Sequence, residues 1–292
     1  MSWRDRGRML DVFGDAIFVV DTGGSFEAPP LVILHGFPTC SHDFDRVLDR
    51  LAADRRVVVH DHLGFGLSAK PMDRAYSLME QAEVALAVWR AVGIEGPVDL
   101  LAHDYGTSVA TELLARRERA PTVEAPSLRS LTLCNGSVHI DLAKLSWPQV
   151  VLRHEFWGPI LARNGSKALM GRRLRQTLAD PAGFTDEDID FLWSCYEGAD
   201  RGVLAVVSRY TFERTRFARR WIGALERLDV PTHVLWGRED PIAVPAIAEA
   251  LAGEIPGATL TWLDGLAHYP MVEAPERWAD AVVGFLAGLR AE

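Results

Sequence analysis

Leu100-Leu101-Ala102-His103-Asp104-Tyr105-Gly106 is the stretch that decides how the chain of 292 residues is read. An apolar run breaks into a turn that sets small residues on either side of an acid, and helical spacing follows from Ser108. A buried strand that enters a sharp turn and leaves as a helix presents its middle residue at the edge of a sheet, the place of a nucleophile. That residue is usually Ser; here it is Asp104. The exchange changes the chemistry. A carboxylate is ionised at neutral pH and attacks carbon without a base. It can displace a leaving group from an sp³ carbon, and water can later hydrolyse the ester.

The same alternation of strand and helix extends in both directions. Strands are expected over 12–20 (broken by a Gly14-Asp15 turn), 31–34, 57–59, 98–102, 128–133, 232–236 and 259–263. Short continuous apolar runs such as Leu31-Val32-Ile33-Leu34 fit strands buried on both faces. Helices are expected over 41–53 with Ser41 as N-cap, over 77–92 closed by Gly93, over 108–119, after Trp221 to Arg227, from Pro245, and over 275–289. Alternating units of this kind imply an α/β fold, with a mostly parallel sheet covered by helices on both faces. Residues 137–214 break the rhythm: helical spacing, several Trp and no strand pair. They read as an inserted helical cap, with 1–136 and 215–292 forming the core.

The bulk properties exclude several classes. No run of 18 uncharged apolar residues exists, so no membrane span is expected. The stretch from Met1 to Arg8 lacks the apolar segment of a secretory leader. Cys40, Cys134 and Cys195 are odd in number and far apart, which fits no metal or redox motif and points to a reducing, cytoplasmic setting. A net charge of −9 speaks against nucleic acid as a partner. Residues 137–221 hold 13 Lys and Arg against 10 Asp and Glu, a net of +3, which leaves −12 for the rest. Solvated helix faces explain this split; a basic lid suited to anionic ligands is the sharper reading.

Function in such a sheet collects at the carboxyl ends of the strands. Four segments fall there: His35-Gly36-Phe37-Pro38, Asp104, Trp236 through Pro241, and Gly265 through Pro270. Asp104, Asp240 and His268 then stand in the chain order nucleophile, acid, base. Asp104 attacks carbon, His268 draws a proton from the water that hydrolyses the ester, and Asp240 orients His268. The backbone N–H groups of Phe37 and Tyr105 are the expected oxyanion hole. His60-Asp61-His62 offers too few ligands for a metal, and no cofactor is expected. His35 and His103 are expected to make loop hydrogen bonds.

These segments, with Asp61-His62-Leu63-Gly64-Phe65-Gly66-Leu67-Ser68, resemble the epoxide hydrolase and haloalkane dehalogenase branch of the α/β-hydrolases over nearly the whole chain. Within that branch, the HDYG elbow, Arg219 through Leu225 and His268-Tyr269-Pro270 are most similar to the mesoderm-specific transcript protein subgroup. The resemblance implies an α/β-hydrolase fold with a cap and a small or medium apolar substrate. Dehalogenases of the branch hold halide with an indole after the nucleophile, where this chain has Tyr105, and carry Asn where it has Phe37. Trp157 is the candidate for a remaining halide donor. Epoxide hydrolases use cap tyrosines as acids. Tyr210 matches one such position and Tyr196 is the other cap tyrosine, while 151–160 contains none. The expected set is therefore Asp104, His268, Asp240 and Tyr210 for catalysis, with His35, Trp157 and Tyr196 at the substrate. Epoxide opening is the leading reading, and C–halogen hydrolysis or a slow, ligand-binding member of the fold are the alternatives.

Overall fold

Strands whose every residue is apolar can be buried on both faces only if helices cover both, and the chain is built so. The computed structural model describes residues 2–119 and 126–289; Met1, within the N-terminal segment read above, lies outside them. Eight strands, β1 (Gly7–Val12), β2 (Asp15–Asp21), β3 (Leu31–Leu34), β4 (Val57–His60), β5 (Val98–His103), β6 (Leu128–Cys134), β7 (Thr232–Gly237) and β8 (Thr259–Leu263), form one sheet in the order β1-β2-β4-β3-β5-β6-β7-β8. β2 runs antiparallel to β1 and β4; the remaining pairs are parallel. The expected mostly parallel sheet is thus present.

Thirteen helices accompany the sheet among the described residues. They are α1 (Trp3–Arg6), α2 (Asp45–Leu51), α3 (Leu78–Ala91), α4 (Tyr105–Arg119), α5 (Trp147–Leu152), α6 (Trp157–Arg163), α7 (Lys167–Arg175), α8 (Asp186–Ser194), α9 (Val203–Val207), α10 (Tyr210–Glu226), α11 (Pro245–Glu254), α12 (Pro270–Glu273) and α13 (Pro275–Gly288). Alternate strand residues feed two cores. Val32, Leu34, Leu100 and Ala102 pack with α3, α4 and α10, whereas Leu31, Ile33 and Leu101 pack with α2 and α13. Each large apolar side chain so buried contributes roughly 2 kcal/mol.

Two local expectations differ from the structure. Ser41 does not cap α2. Its N–H and hydroxyl both bond Asp61 Oδ1, at 2.8 and 2.5 Å, and residues 41–44 form a 3-10 turn before α2 begins at Asp45. A buried carboxylate that needs donors outcompetes a helix N-terminus for this hydroxyl. The division placed at 214/215 also falls inside one continuous helix, α10. That helix lies along α4, where Arg214 Nε donates to Ser108 Oγ at 2.7 Å and Trp221 Nε1 to Glu112 Oε2 at 2.8 Å. Between β6 and α10, the described residues form helices and turns and no strand.

Candidate active site

β5 ends at His103 and α4 begins at Tyr105, so Asp104 alone makes the turn. It does so with φ at 42°, a left-handed conformation that costs energy in a residue with a side chain and persists where the surroundings impose it. Close packing imposes it here. A Cβ on Gly106 would collide with the Leu34 carbonyl of β3, so only glycine lets α4 start so near the sheet. The Asp104 N–H donates to the Cys134 carbonyl at 3.1 Å, which ties the turn to the end of β6.

The loop after β3 supplies the first polar partner. Phe37 N–H donates to Asp104 Oδ2 at 3.0 Å. This amide is one of the two expected oxyanion donors. The other, that of Tyr105, opens α4, where helix amides have no partner within the helix. Tyr105 itself is fully buried, and its hydroxyl has no hydrogen-bond partner among the described residues.

The loops after β7 and β8 bring Asp240 to His268. Gly237 passes so close to the Ala267 carbonyl that a side chain would not fit. Asp240 Oδ2 lies 2.7 Å from His268 Nδ1. Asp240 is fixed in turn: Oδ1 accepts the N–H groups of Ile242 and Ala243, and Oδ2 accepts Asn135 Nδ2 at 2.7 Å. Burial alone would push the His268 pKa down. The charge and hydrogen bond of Asp240, with the charge of Asp104, outweigh burial and raise it to about 9. Burial holds the neighbouring His35 and His103 at about 4, so at pH 7 both are neutral.

The remaining expected residues separate. His35 is fully buried with both ring nitrogens engaged, Nδ1 with the Gly36 carbonyl at 2.8 Å and Nε2 with the His62 N–H at 2.9 Å. His103 Nε2 meets the His268 carbonyl at 2.8 Å. Tyr210 packs its ring on Tyr105 and Phe37, with centroids 4.8 and 5.8 Å away, and lies within electrostatic reach of Asp104. Burial raises its pKa, so its hydroxyl keeps its proton. A cavity of about 500 Å³ lies between core and cap, with Phe37, His268 and Tyr269 on one wall and Leu161, Met170 and Tyr196 on another. Tyr196 therefore stands at the cavity. His35 and Trp157 do not: His35 is committed to its loop, and Trp157 is 56% exposed on the outside of the cap against Phe156. A second hollow, between α7 and α8, has none of Asp104, Asp240 and His268 on its walls.

Two residues escaped the sequence reading. Asn135, at φ 44° after β6, clamps Asp240 and also accepts the Gly237 N–H at 3.0 Å. Its place just past a parallel strand was a usable signal. Arg214, 1% exposed on α10, sets Nη2 3.2 Å from the Asp104 carbonyl oxygen and 3.8 Å from Oδ1, with its guanidinium 4.5 Å from the Tyr210 ring. Nothing in the sequence separates it from the solvent-facing arginines that surround it on that helix.

The sequence profile described as the alpha/beta hydrolase fold matches residues 29–275. The chain belongs to this family. The LipZ protein of Mycobacterium tuberculosis, whose name assigns it provisionally to the hydrolases, is 38% identical over 98% of this chain and 97% of its own. The human mesoderm-specific transcript homolog protein is 32% identical over 98% of this chain and 87% of its own. Among solved structures, the haloalkane dehalogenase DbeA of Bradyrhizobium elkani superposes with a TM-score of 0.82 at 22% identity, over 98% of each chain. At that identity the likeness is one of fold. The α/β-hydrolase reading and the relation to the mesoderm-specific transcript proteins therefore hold, and hydrolases stand among the relatives.

Proposed function

We propose that the protein is a hydrolase that works through an alkyl ester on Asp104 and opens small or medium apolar epoxides. The observation that carries this reading is the Asp104 carboxylate itself: an elbow acid whose Oδ2 already rests on the Phe37 N–H, in the same site as the His268–Asp240 pair. Oδ1 attacks the epoxide carbon and the ring C–O bond breaks. Tyr210 gives its proton to the leaving alkoxide, which departs poorly without one. His268 takes a proton from water, water attacks the ester carbonyl, and the oxyanion meets the Phe37 and Tyr105 amides. The diol leaves with an oxygen from Asp104, and the oxygen of water remains in the carboxylate.

Dehalogenation by the same ester has less support. Tyr105 has no indole to hold a halide, and Trp157 faces outward from the cap. Single-turnover reaction in heavy-oxygen water tests the proposal. The first product should be unlabelled and the Asp104 peptide labelled; label entering product in the first turnover would falsify ester formation. Diol release from aryl and terminal epoxides, beside halide release from haloalkanes, decides the electrophile.

A further inference from the structure

Exposed apolar side chains are ordinary when scattered and informative when they crowd. On the cap, Trp147 and Val150 lie one turn apart on α5, and Trp157 and Ile160 one turn apart on α6, all exposed, from 42 to 66%. The segment joining the two helices, residues 154–156, is exposed throughout and adds Phe156 at 64%. Two Trp and a Phe at the tip of a helix pair are the side chains that settle at the boundary between lipid headgroups and hydrocarbon.

The segment that carries these side chains is also basic. From Lys144 to Arg175 there are seven Lys and Arg and one acid, Glu155. Arg163, Lys167 and Arg175 pair with Asp200, Asp190 and Asp186. Lys144, Arg153, Arg172 and Arg173 have no acidic partner among the described residues; Arg153 stacks on Phe212, and Arg173 meets only Gln176. The three paired cations are neutralised where they stand, so the four others against Glu155 leave a net +3 on this segment. A second copy seated on this face would set like charges together. An anionic lipid headgroup layer satisfies both the charge and the aromatic rings.

We infer that the cap docks on an anionic lipid bilayer through the face that carries Trp147, Val150, Phe156, Trp157 and Ile160. The cavity adjoins that face at Trp147, and Lys144 and Arg173 line the cavity beside it. Docking thus sets that edge of the cavity against the bilayer. If the proposed epoxide chemistry holds, substrates dissolved in lipid reach the cavity wall that carries His268 without crossing water. That second step rests on the functional reading above; the docking does not.

Co-sedimentation with vesicles tests the docking apart from any catalysis. The whole protein should bind an equal mixture of phosphatidylcholine and phosphatidylglycerol, bind phosphatidylcholine alone much less, and be released by salt. Phe156→Ser with Trp157→Ser should lower partitioning by about tenfold or more, since each ring loses its buried contact with lipid. Both side chains are exposed, and an unchanged thermal melt will confirm that the variant is folded. Lys144→Glu with Arg173→Glu should remove the preference for phosphatidylglycerol while leaving the aromatic rings in place. No binding by the whole protein, or equal binding by the Ser variant, would overturn the inference. So would self-association that the Ser variant abolishes without any vesicle binding.

Discussion

Arg214 holds Asp104 from the cap side: its Nη2 sits 3.2 Å from the Asp104 carbonyl oxygen and 3.8 Å from Oδ1. A buried guanidinium is costly unless paired, and here Ser108 Oγ and the Tyr210 ring complete its surroundings. In the proposed mechanism the charge on Asp104 disappears as the ester forms, and negative charge appears on the leaving oxygen. Arg214, beside both Asp104 and Tyr210, stays close to that charge throughout. Arg214→Met should therefore slow ester formation by roughly 10²-fold, read by quenched-flow mass analysis of the alkylated protein. Arg214→Lys should recover part of the loss. A Met variant that alkylates at the normal rate would remove Arg214 from the chemistry.

His268 gives opposite signs for stability and for activity. Its folded pKa of about 9 lies above the unfolded value of 6.5. The stabilisation, a few kcal/mol at most, is complete below about pH 6.5 and is lost as pH rises through about 9. The ester-hydrolysis step of the proposed mechanism needs neutral imidazole and should rise with pH, with a midpoint below 9 because the ester removes the Asp104 charge that helps raise this pKa. Asp240→Asn should shift that rise to lower pH and reduce the maximal rate by about 10³–10⁴-fold. Single-turnover hydrolysis from pH 6 to 10, beside urea melts at each pH, measures both. Parallel rather than opposed trends in the wild-type protein would contradict the assignment of His268 as base.

Tyr210 separates the two electrophiles. Its proton is needed for an alkoxide and not for a halide, which departs as a stable anion. Tyr210→Phe keeps the ring against Phe37 and Tyr105 and should cut diol formation by roughly 10²–10⁴-fold. Any halide release should change little. Equal loss of both activities would show that Tyr210 only packs.

What could be read in advance follows from periodicity and chain order. Short apolar runs revealed β3 and β4 because strands buried on both faces leave little room for polar residues. Asp104 and the loops of Asp240 and His268 were legible because each stands just past such a run. Asn135 stands in the same kind of place and could have been read from it, but Arg214 could not, because its importance comes from a partner 110 residues away. The N-cap expected at Ser41 failed for the same reason: Asp61 claimed the hydroxyl from 20 residues along the chain. Pocket-lining residues were read least well. Whether a helical Trp faces a cavity or solvent depends on how the cap helices turn against one another, as Trp157 illustrates.

The contact that carries α10 on the core gives a prediction independent of function. Glu112, on α4 and 1% exposed, accepts from Arg116, Arg220 and Trp221 at 2.8 to 3.0 Å. Burial pushes its carboxyl pKa up, but these donors prevail and bring it below the usual value of 4.5. Its stabilisation is thus present above about pH 4.5 and fades as pH falls through the lower folded value. Glu112→Gln leaves two guanidinium groups facing a neutral amide and should cost about 3 kcal/mol at pH 7. Urea melts should show the gap to wild type narrowing below pH 4. Because α10 also carries Tyr210 and Arg214, the variant should lose ester formation at urea concentrations that leave the core folded. A single shared transition for activity and core unfolding would mean that α10 and the sheet melt as one unit.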